Sequence, residues 1–445
     1  MVALGVPYAL LLITLALGQL LRLPVLSSEV KSAPLLGIDI AVGILWFSVL
    51  VRIGLRSDYP TSGWVTNAAA AFSVWSLIGT IFTTERYDLT ASQFLFSTAY
   101  LARWMFYFGV YLWATMQFSN LETLRGGATR LRAAILVIAI FGLVQSVFLP
   151  DFALTLHPTA VPYETWDPQG RRLVSTLLDP NFAGNLIGMG LLLTFPSAVR
   201  RPMFVPIPLI VLLIAFFLTG SRGALLGLLA GGLVLILALR PPALYRLVIR
   251  LAVAFLMAIV IASAVSWILG APGLLDAAVA FLRTYNKLRL VDPSALTRLI
   301  QWKTDLDVFA ANPVTGIGFN TWGFVQRYFG FYRTDTAAFG MDGGLLVIAA
   351  LTGVVGVLLF TTLLAAPIIR GFKLARRPDL PEWMRDLGSS VAGCTVLWVV
   401  QGFFAATLTY PFLLAVVWLL WAWTDIAWHE VAVPLHRPRA DEPSS

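Results

Sequence analysis

Apolar stretches of roughly 20 residues recur along the whole chain and restrict it to one class of fold. Each is long enough to cross about 30 Å of hydrocarbon as a helix. Lipid offers no partner to backbone N–H and C=O groups, so an open sheet or a coil could not cross it. Of the 445 residues, 58% are hydrophobic and 12% are charged, against roughly 25% charged in a soluble domain. The sequence therefore predicts an all-α, polytopic integral membrane protein.

Twelve spans are predicted, and the charges of the linkers between them indicate an orientation. The spans cover residues 4–22, 34–51, 63–83, 93–117, 132–149, 181–199, 203–219, 223–239, 247–269, 343–366, 388–407 and 410–428. With both termini in the cytoplasm, the short basic linkers fall on the cytoplasmic side, as the positive-inside rule requires. The long segment 270–342 is also basic yet lies on the outer side, which the rule permits for long translocated segments.

The spans divide the chain into regions with different roles. These are N-terminal transmembrane helices (1–150), an outer loop (151–180), central transmembrane helices (181–269), a long outer loop (270–342), C-terminal transmembrane helices (343–428) and a Pro-rich tail predicted to be disordered and cytoplasmic (429–445). Within the long loop, residues 274–290 and 294–311 have apolar side chains at helical spacing, so we expect two amphipathic helices on the membrane face. The single cysteine, Cys394, excludes an intrachain disulfide and a cysteine metal site.

A first candidate anion site lies where the outer loop meets the sixth span. Arg171 and Arg172 come shortly before Asn181, at the predicted helix start. Guanidinium groups pair with phosphate oxygens bidentately, and free N–H groups at a helix start add to the positive field. In the simpler alternative, Asp179 or Asn181 only caps the helix and the two arginines reach lipid headgroups.

A second candidate is the turn Gly220-Ser221-Arg222-Gly223, which is so short that two apolar helices must meet around it. The glycines permit close approach of the backbone. Arg222 falls at the membrane boundary with no carboxylate nearby in sequence. Such an arginine either binds an anion or extends to the lipid headgroups.

A third candidate lies in the long outer loop, where Arg298, Trp302 and Asp305 share one helical face and Lys303 stands beside them. Asp305-Leu-Asp307 has the Asp-x-Asp form by which nucleotide-sugar transferases hold a metal. In a helix, residues two apart point in different directions, so no metal site is predicted.

Further candidates follow along the same loop. The turn Gly316-Ile-Gly318, with Asn320 behind it, could expose backbone N–H groups as an anion-binding nest. Asp342 ends the loop at the lip of the next span, where a carboxylate can act as a general base or can simply cap the helix. Asp39 falls inside the second predicted span, and a charge at such a place needs a partner.

Other classes of chemistry are excluded by the residues that the chain lacks. Of its three histidines, His429 and His436 fall in the predicted tail and only His157 is on the outer side, so no Ser-His-Asp triad is expected. A Walker A sequence is also missing. The net charge of +8 points to anionic lipids and phosphate-bearing substrates, and not to nucleic acid.

Taken together and in this order, the candidate elements resemble the O-antigen ligase and Wzy-type polysaccharide polymerase superfamily of bacterial membrane proteins. The pattern covers about residues 170–360. The matching positions are Arg172, Ser175-Thr176 and Pro180-Asn181 in the outer loop, then Ser221-Arg222-Gly223, then Arg298, Trp302, Pro313, Gly316, Gly318 and Asn320. The family has a Gly-Thr pair where this chain has Ser175-Thr176.

The resemblance implies a C-type glycosyltransferase of the bacterial inner membrane that needs neither metal nor other cofactor. It would take a glycan from undecaprenyl pyrophosphate on the periplasmic side and transfer it to a glycan or lipid acceptor. Membrane lipids are expected partners, and a chain-length regulator could be another. The implied catalytic residues are Asp342, Arg222 and Arg298; the implied substrate-binding residues are Arg171, Arg172, Asn181, Ser221, Trp302, Lys303, Gly316, Gly318 and Asn320.

One departure from the family bears on the reaction. Ligases of the family typically end the long loop with a His-Asn pair, whereas this chain has Met341-Asp342-Gly343 there. The departure favours a polymerase over a ligase that acts on lipid A core. The sequence also leaves open a transporter or flippase of the same lipid-linked glycan, and a noncatalytic membrane scaffold.

Overall fold

A computed structural model describes the membrane helices and part of the long loop. It describes residues 5–27, 32–55, 63–118, 120–149, 151–152, 156, 172–200, 207–239, 293–331 and 343–432. The helices are α1 (Val6–Leu17), α2 (Gly37–Gly54), α3 (Trp64–Arg86), α4 (Ala91–Gln117), α5 (Leu121–Phe148), α6 (Pro180–Arg200), α7 (Ile207–Thr219), α8 (Arg222–Leu239), α9 (Pro293–Ala311), α10 (Trp322–Val325), α11 (Leu345–Ala375), α12 (Glu382–Gly402) and α13 (Pro411–Ala432).

Every predicted span that falls on described residues coincides with one of these helices. Six of them, α2, α3, α5, α8, α11 and α13, are long and apolar enough to cross a membrane. The helix α1 with its 3₁₀ extension (Val6–Leu20) and α7 are apolar but shorter. The span predicted at 247–269 lies outside the described residues. The structure thus fits a polytopic membrane protein, and the count of twelve spans stays a prediction.

The long loop and the tail are described in part. The amphipathic helix predicted at 294–311 is α9. The one predicted at 274–290 lies outside the described residues. At the other end of the chain, α13 continues to Ala432, so the first four residues of the predicted tail are helical.

Among the described residues, a short β-hairpin departs from the all-α expectation. Strands β1 (Arg22–Ser27) and β2 (Ser32–Leu36) pair antiparallel between α1 and α2, with Arg22 opposite Leu36. The pairing continues at its base, where the Gly37 N–H donates to the Leu21 carbonyl at 2.8 Å. Backbone that leaves a helix end must find new hydrogen-bond partners. The hairpin supplies these partners. It covers the loop predicted between the first two spans and the adjoining ends of both spans.

Helix α13 lies at the centre of the described bundle. Its apolar stretch is 89% buried, whereas the other five long apolar helices are 33–44% buried. Its Trp418 packs edge-on against Trp104, Phe108 and Trp421, with ring centroids 5.0–5.5 Å apart. Offset and edge-on contacts are the favourable arrangements for aromatic rings. Because the other helices surround α13, their outer faces are the ones left for lipid.

Helices α8 and α12 approach each other closely through small residues. A Cβ added at Gly227 would lie 2.8 Å from the Leu397 carbonyl oxygen, and one added at Gly231 would overlap the carbonyl of Gly393. Small residues at helix interfaces allow such approach within membranes. As a result, the first turn of α8 lies beside the last turn of α12, and this contact positions the candidate site.

The buried acid Asp39 has the partner that its position demands. Its carboxylate contacts Arg103 Nη2 at 2.6 Å, accepts from the Tyr107 hydroxyl at 2.6 Å and accepts from the Leu36 N–H at 2.8 Å. The predicted need for a partner is confirmed. Because α2 begins at Gly37 and not at residue 34, Asp39 lies in the first turn of the helix and nearer its end than the predicted span implies.

Candidate functional site

The end of α12 is the point at which separate parts of the chain meet. Gln401 Nε2 donates to the Asn181 carbonyl at 2.6 Å, at the start of α6. Trp302 Nε1 donates to the Phe403 carbonyl at 2.8 Å, and Arg298 Nε donates to the Phe404 carbonyl at 3.2 Å. The carbonyls of Phe403 and Phe404 lie just beyond the end of α12 at Gly402, and α9 supplies the donors that satisfy them. The long loop and α6 are thereby joined at one helix end.

Arg172 belongs to the same end of the bundle. Its Nε donates to the Thr219 carbonyl at 2.8 Å, and the next residue, Leu173, donates its N–H to the Leu218 carbonyl at 3.0 Å. These two bonds attach the end of the outer loop to the last turn of α7. Arg172 therefore lies close to the Ser221-Arg222 turn in the structure. The two are also consecutive elements of the sequence pattern described above. Arg171 lies outside the described residues.

The segment after Arg172, which the sequence assigns to the outer loop, is buried. Residues 173–179 are all buried. The N–H groups of Val174 and Ser175 both donate to Gln145 Oε1 at 3.1 Å, and Ser175 Oγ donates to the Ile138 carbonyl at 2.7 Å. Ser175 adopts a positive φ of 52°, which a non-glycine residue rarely does. The Ser175 hydroxyl therefore holds the segment against α5.

Asp179 caps the start of α6, as one of the two alternatives from the sequence had it. Asp179 Oδ1 accepts from the N–H groups of Asn181 at 2.6 Å and Phe182 at 3.2 Å. Burial raises the pKa of the Asp179 carboxyl, while these N–H donors and the Arg172 charge oppose that rise. The Asn181 side chain accepts from Ser221 Oγ at 2.8 Å. Two residues predicted to bind substrate, Asn181 and Ser221, thus contact each other.

The turn between α7 and α8 brings Arg222 to the same place. Gly220 takes a φ of 58°, and α8 begins at Arg222. A Cβ added at Gly223 would lie 2.6 Å from Phe404 Cβ, so the first turn of α8 packs against the end of α12. Arg222, like Arg172 and Arg298, is of intermediate exposure. Three arginines from distant parts of the sequence therefore lie around one end of the bundle.

The start of α11 closes the site from a further side. A Cβ added at Gly344 would lie 2.9 Å from the Phe403 nitrogen, and Gly344 has a φ of 57°. Only a residue without a Cβ fits both that φ and that contact without strain. Asp342, the predicted general base, directly precedes these glycines but lies outside the described residues. Its role stays a prediction.

Lys303 is not brought to the site. Its Nζ contacts Asp307 Oδ2 at 2.6 Å, and the two side chains are 76% and 60% exposed. Asp305, two residues before Asp307, is instead 1% exposed. The two carboxylates point to different sides of α9, as helical geometry predicts. Among the described residues, no group of three or more His, Cys, Asp or Glu side chains could hold a metal ion.

The predicted anion nest at Gly316-Ile-Gly318 is wrong. The N–H of Gly316 donates to the Asn312 carbonyl at 3.0 Å, and those of Ile317 and Gly318 donate to the carbonyls of Ala350 and Leu351, each at 2.9 Å. The next N–H, of Phe319, donates to Thr80 Oγ1 at 3.0 Å. The donors of this turn are thus used within the protein. Substrate contact by Gly316, Gly318 and Asn320 stays a prediction without this support.

A break in α11 explains why the N–H groups of this turn find free carbonyls to bond. Gly353 has non-helical angles, φ 66° and ψ −172°, so the carbonyls just before it lose their helical partners. The loop supplies replacements, and in return the Val354 N–H donates to the Pro313 carbonyl at 2.8 Å. Trp75 Nε1 of α3 donates to the Thr352 carbonyl at 2.8 Å. Irregular backbone within a membrane protein is tolerated where protein groups satisfy it in this way.

The central part of the chain matches a known protein family. Residues 207–361 match the family model described as O-antigen ligase. This part of the chain is thus similar to the O-antigen ligase family. The match confirms the resemblance to the O-antigen ligase and Wzy-type superfamily. It includes Arg222 and Arg298, whereas Arg172, Asn181 and Gln401 lie outside it. No curated protein matches the chain.

Gln401, Phe403 and Phe404, at which the candidate site residues meet, were not predicted from the sequence. The predicted span 388–407 ran through them, whereas α12 ends at Gly402. A carboxamide followed by Gly402 could have indicated a helix end, since glycine commonly follows the last helical turn. The contacts themselves could not have been read from sequence, because Gln401 and Asn181 are 220 positions apart.

Proposed function

We propose that the chain is a polysaccharide polymerase-like glycosyltransferase of the bacterial inner membrane. It would move a glycan from undecaprenyl pyrophosphate to an acceptor sugar hydroxyl on the periplasmic side, in O-antigen or exopolysaccharide assembly. The observation that carries the proposal is the meeting of three arginine-bearing segments, those of Arg172, Arg222 and Arg298, around the end of α12. The family match supports ligase- or polymerase-like chemistry in general.

The chemistry of the donor explains why arginines are suited to this role. When the acceptor oxygen bonds to the anomeric carbon, the bond from that carbon to the pyrophosphate oxygen breaks on the opposite face. Negative charge then grows on the leaving pyrophosphate. Fixed cations aimed at that charge lower the barrier, so the proposed reaction needs no metal. Planar guanidinium groups suit phosphate because two N–H donors can pair with two oxygens.

The remaining residues fall into two proposed roles. Asp342 would accept the proton of the acceptor hydroxyl as the new bond forms, or would orient that hydroxyl. The Trp302 ring is of intermediate exposure and packs edge-on against Phe403 and Phe404, with centroids 6.2 and 5.6 Å apart. We assign it to contact with the sugar, because an aromatic ring offers an apolar face beside the charged groups.

The proposal includes a location and an orientation. The site lies at the end of the bundle where α11 starts, and the basic residues Lys373, Arg376 and Arg377 lie at the opposite end of that helix. Basic residues on the cytoplasmic side agree with the positive-inside rule. This arrangement supports a periplasmic site with both termini in the cytoplasm. Anionic lipids are the expected partners of the basic end.

The proposed function is tested by replacing Arg222 with alanine. Membranes that contain the variant are supplied with lipid-linked repeat units, and polymer is followed on a gel. We expect polymer to fall to a small fraction of the wild-type amount, because a cation beside the leaving group is lost. Arg376→Ala, at the opposite end of α11, is the matched control and should leave polymer unchanged. Undiminished polymer from Arg222→Ala at normal protein levels would contradict the assignment.

A ligase is the second candidate, favoured by the description of the family model as O-antigen ligase. It would attach finished glycan to lipid A core or another acceptor. Deletion of the gene separates the two candidates. Loss of a polymerase leaves single repeat units, whereas loss of a ligase leaves long chains on undecaprenyl pyrophosphate.

A further inference from the structure

We infer that Gln401 is a positioning residue for Arg222, an inference that rests on the proposed function. Gln401 lies in the last turn of α12 and is fully buried. Its Nε2 donates to the Asn181 carbonyl at 2.6 Å, in the first turn of α6. A side chain without exposed surface cannot touch a substrate. Gln401 therefore acts on the reaction through other residues, and Asn181 is the first of them.

Asn181 connects the end of α12 to the turn between α7 and α8. Its carbonyl accepts from Gln401, and its N–H donates to Asp179 Oδ1 at 2.6 Å. Its side-chain Oδ1 accepts from Ser221 Oγ at 2.8 Å. The backbone of Asn181 is thus held on both sides while its side chain bonds the turn. A shift of Asn181 would therefore move the partner of Ser221.

Ser221 joins Asn181 to the first turn of α8. A serine hydroxyl has one proton to donate, and that of Ser221 goes to Asn181. The same oxygen accepts from the Ala224 N–H at 3.3 Å, which is the bond of a helix N-cap. Arg222 is the next residue and the first of α8. Asn181 and Ser221, which the sequence assigned to the substrate, would then act on it through Arg222.

The packing around this turn transmits small shifts to the start of α8. A Cβ added at Gly184 of α6 would lie 3.3 Å from Ser221 Cβ. One added at Gly223 of α8 would lie 2.6 Å from Phe404 Cβ, just beyond the end of α12. Helices α6 and α12 thus enclose the start of α8 from two sides. Close-packed interiors pass strain from one element to the next.

A second bond between the same two helices provides a matched control. Ser390 Oγ of α12 donates to the Leu192 carbonyl of α6 at 2.8 Å, and Ser390 is 1% exposed. Its distance along α12 from Gln401 is about 16 Å, at 1.5 Å per residue. Both bonds join a buried side chain of α12 to a carbonyl of α6, but that of Ser390 is remote from the candidate site. A structural role alone predicts the same effect for the loss of either bond.

The test measures transfer kinetics of the full chain in membranes, with lipid-linked glycan extracted from a host strain that lacks the gene. Gln401→Met keeps the length of the side chain but has no N–H to donate. We expect it to lower kcat about 10- to 100-fold, the loss typical of a displaced catalytic group, with KM for the donor little changed. Ser390→Ala should keep the wild-type kcat. Both variants should lower the unfolding temperature in detergent to a similar extent, because each loses one buried hydrogen bond.

A double-mutant cycle tests the route through Ser221. Ser221→Ala removes the bond to Asn181 and should lower kcat by a similar factor, whereas Ser221→Thr keeps the hydroxyl and should recover part of the rate. Gln401→Met and Ser221→Ala together should cost little more than either alone, because residues of one hydrogen-bond network are coupled.

Three results would overturn the inference: wild-type kcat in Gln401→Met, an equal fall of kcat in Ser390→Ala, or additive effects in the cycle. If Gln401→Met does not accumulate in membranes, the two Ser221 variants decide, and equal kcat in Ser221→Ala and Ser221→Thr would overturn it. If the wild-type chain itself elongates no extracted glycan, the proposed function fails instead.

Discussion

Arg172 and Arg298 are anchored through the same atom. In each, Nε donates to a backbone carbonyl near the end of a helix, that of Thr219 or Phe404, at 2.8 or 3.2 Å. A hydrogen bond through Nε fixes the plane of the guanidinium group and so sets the direction of its paired terminal nitrogens. A cation near a helix C-terminus is also favoured by the helix dipole. These bonds within the protein therefore fix the orientation of the two side chains.

At this scale we predict the effect of removing Arg298. Arg298→Ala should lower the rate of glycan transfer about 100-fold, as for loss of one donor to a developing negative charge. Arg298→Lys should restore little, because an ammonium group cannot bond the Phe404 carbonyl and also pair with phosphate in one plane. Lys303→Ala is the control on the same helix, since Lys303 is exposed and paired with Asp307. Equal losses for Arg298→Ala and Lys303→Ala in the membrane assay would argue against the assignment.

Among the elements, α11 joins the long loop to the bundle through backbone hydrogen bonds. Its break at Gly353 frees carbonyls that the turn at Gly316–Gly318 then satisfies, and α3 contributes Trp75 to the same break. A regular α11 would leave the loop without these bonds. The break therefore positions the loop segment that carries Arg298 and Trp302.

At this scale we predict that Gly353→Ala destabilises the protein. The backbone at Gly353 has a φ of 66°, and an added Cβ would overlap the carbonyl of Val314. Strain of the backbone alone should cost about 1–3 kcal/mol. The measurement is thermal unfolding in detergent. Gly232→Ala is the matched control, because nothing lies within 4 Å of its added Cβ and alanine is the better helix former. An unchanged unfolding temperature for Gly353→Ala would contradict the described break.

In the whole molecule, the candidate site draws on all parts of the chain. Arg172 precedes the segment matched by the family model, Arg222 and Arg298 lie within it, and Gln401–Phe404 follow it. The central helix α13 and the close contact of α8 with α12 fix the positions of these segments relative to one another. The site therefore depends on the packing of the bundle and could not be formed by the matched segment alone.

This organisation explains how far the sequence could predict the molecule. The length of an apolar stretch can be read from neighbouring residues alone, and the described helices lie where the apolar stretches predict them. Arg222 and Arg298 are also recognisable locally, because each stands at a helix start or on a helix face. The neighbouring residues could not predict the turn Gly316–Gly318 correctly. Its N–H groups bond carbonyls that are freed by the break at Gly353, 35 positions or more away. Nor could they predict the contact of Gln401, whose partner Asn181 lies 220 positions away.

We propose that one arginine-lined site transfers glycan from a pyrophosphate donor without metal. Reconstitution tests this proposal most directly. The purified chain in liposomes is given lipid-linked glycan extracted from the deletion strain, with EDTA present, and glycan length is measured with the undecaprenyl pyrophosphate released. We predict longer glycan and released lipid with the wild-type chain, and neither with Arg222→Ala or Arg298→Ala. Loss of wild-type activity in EDTA that returns with divalent metal, or full activity in both variants, would contradict it.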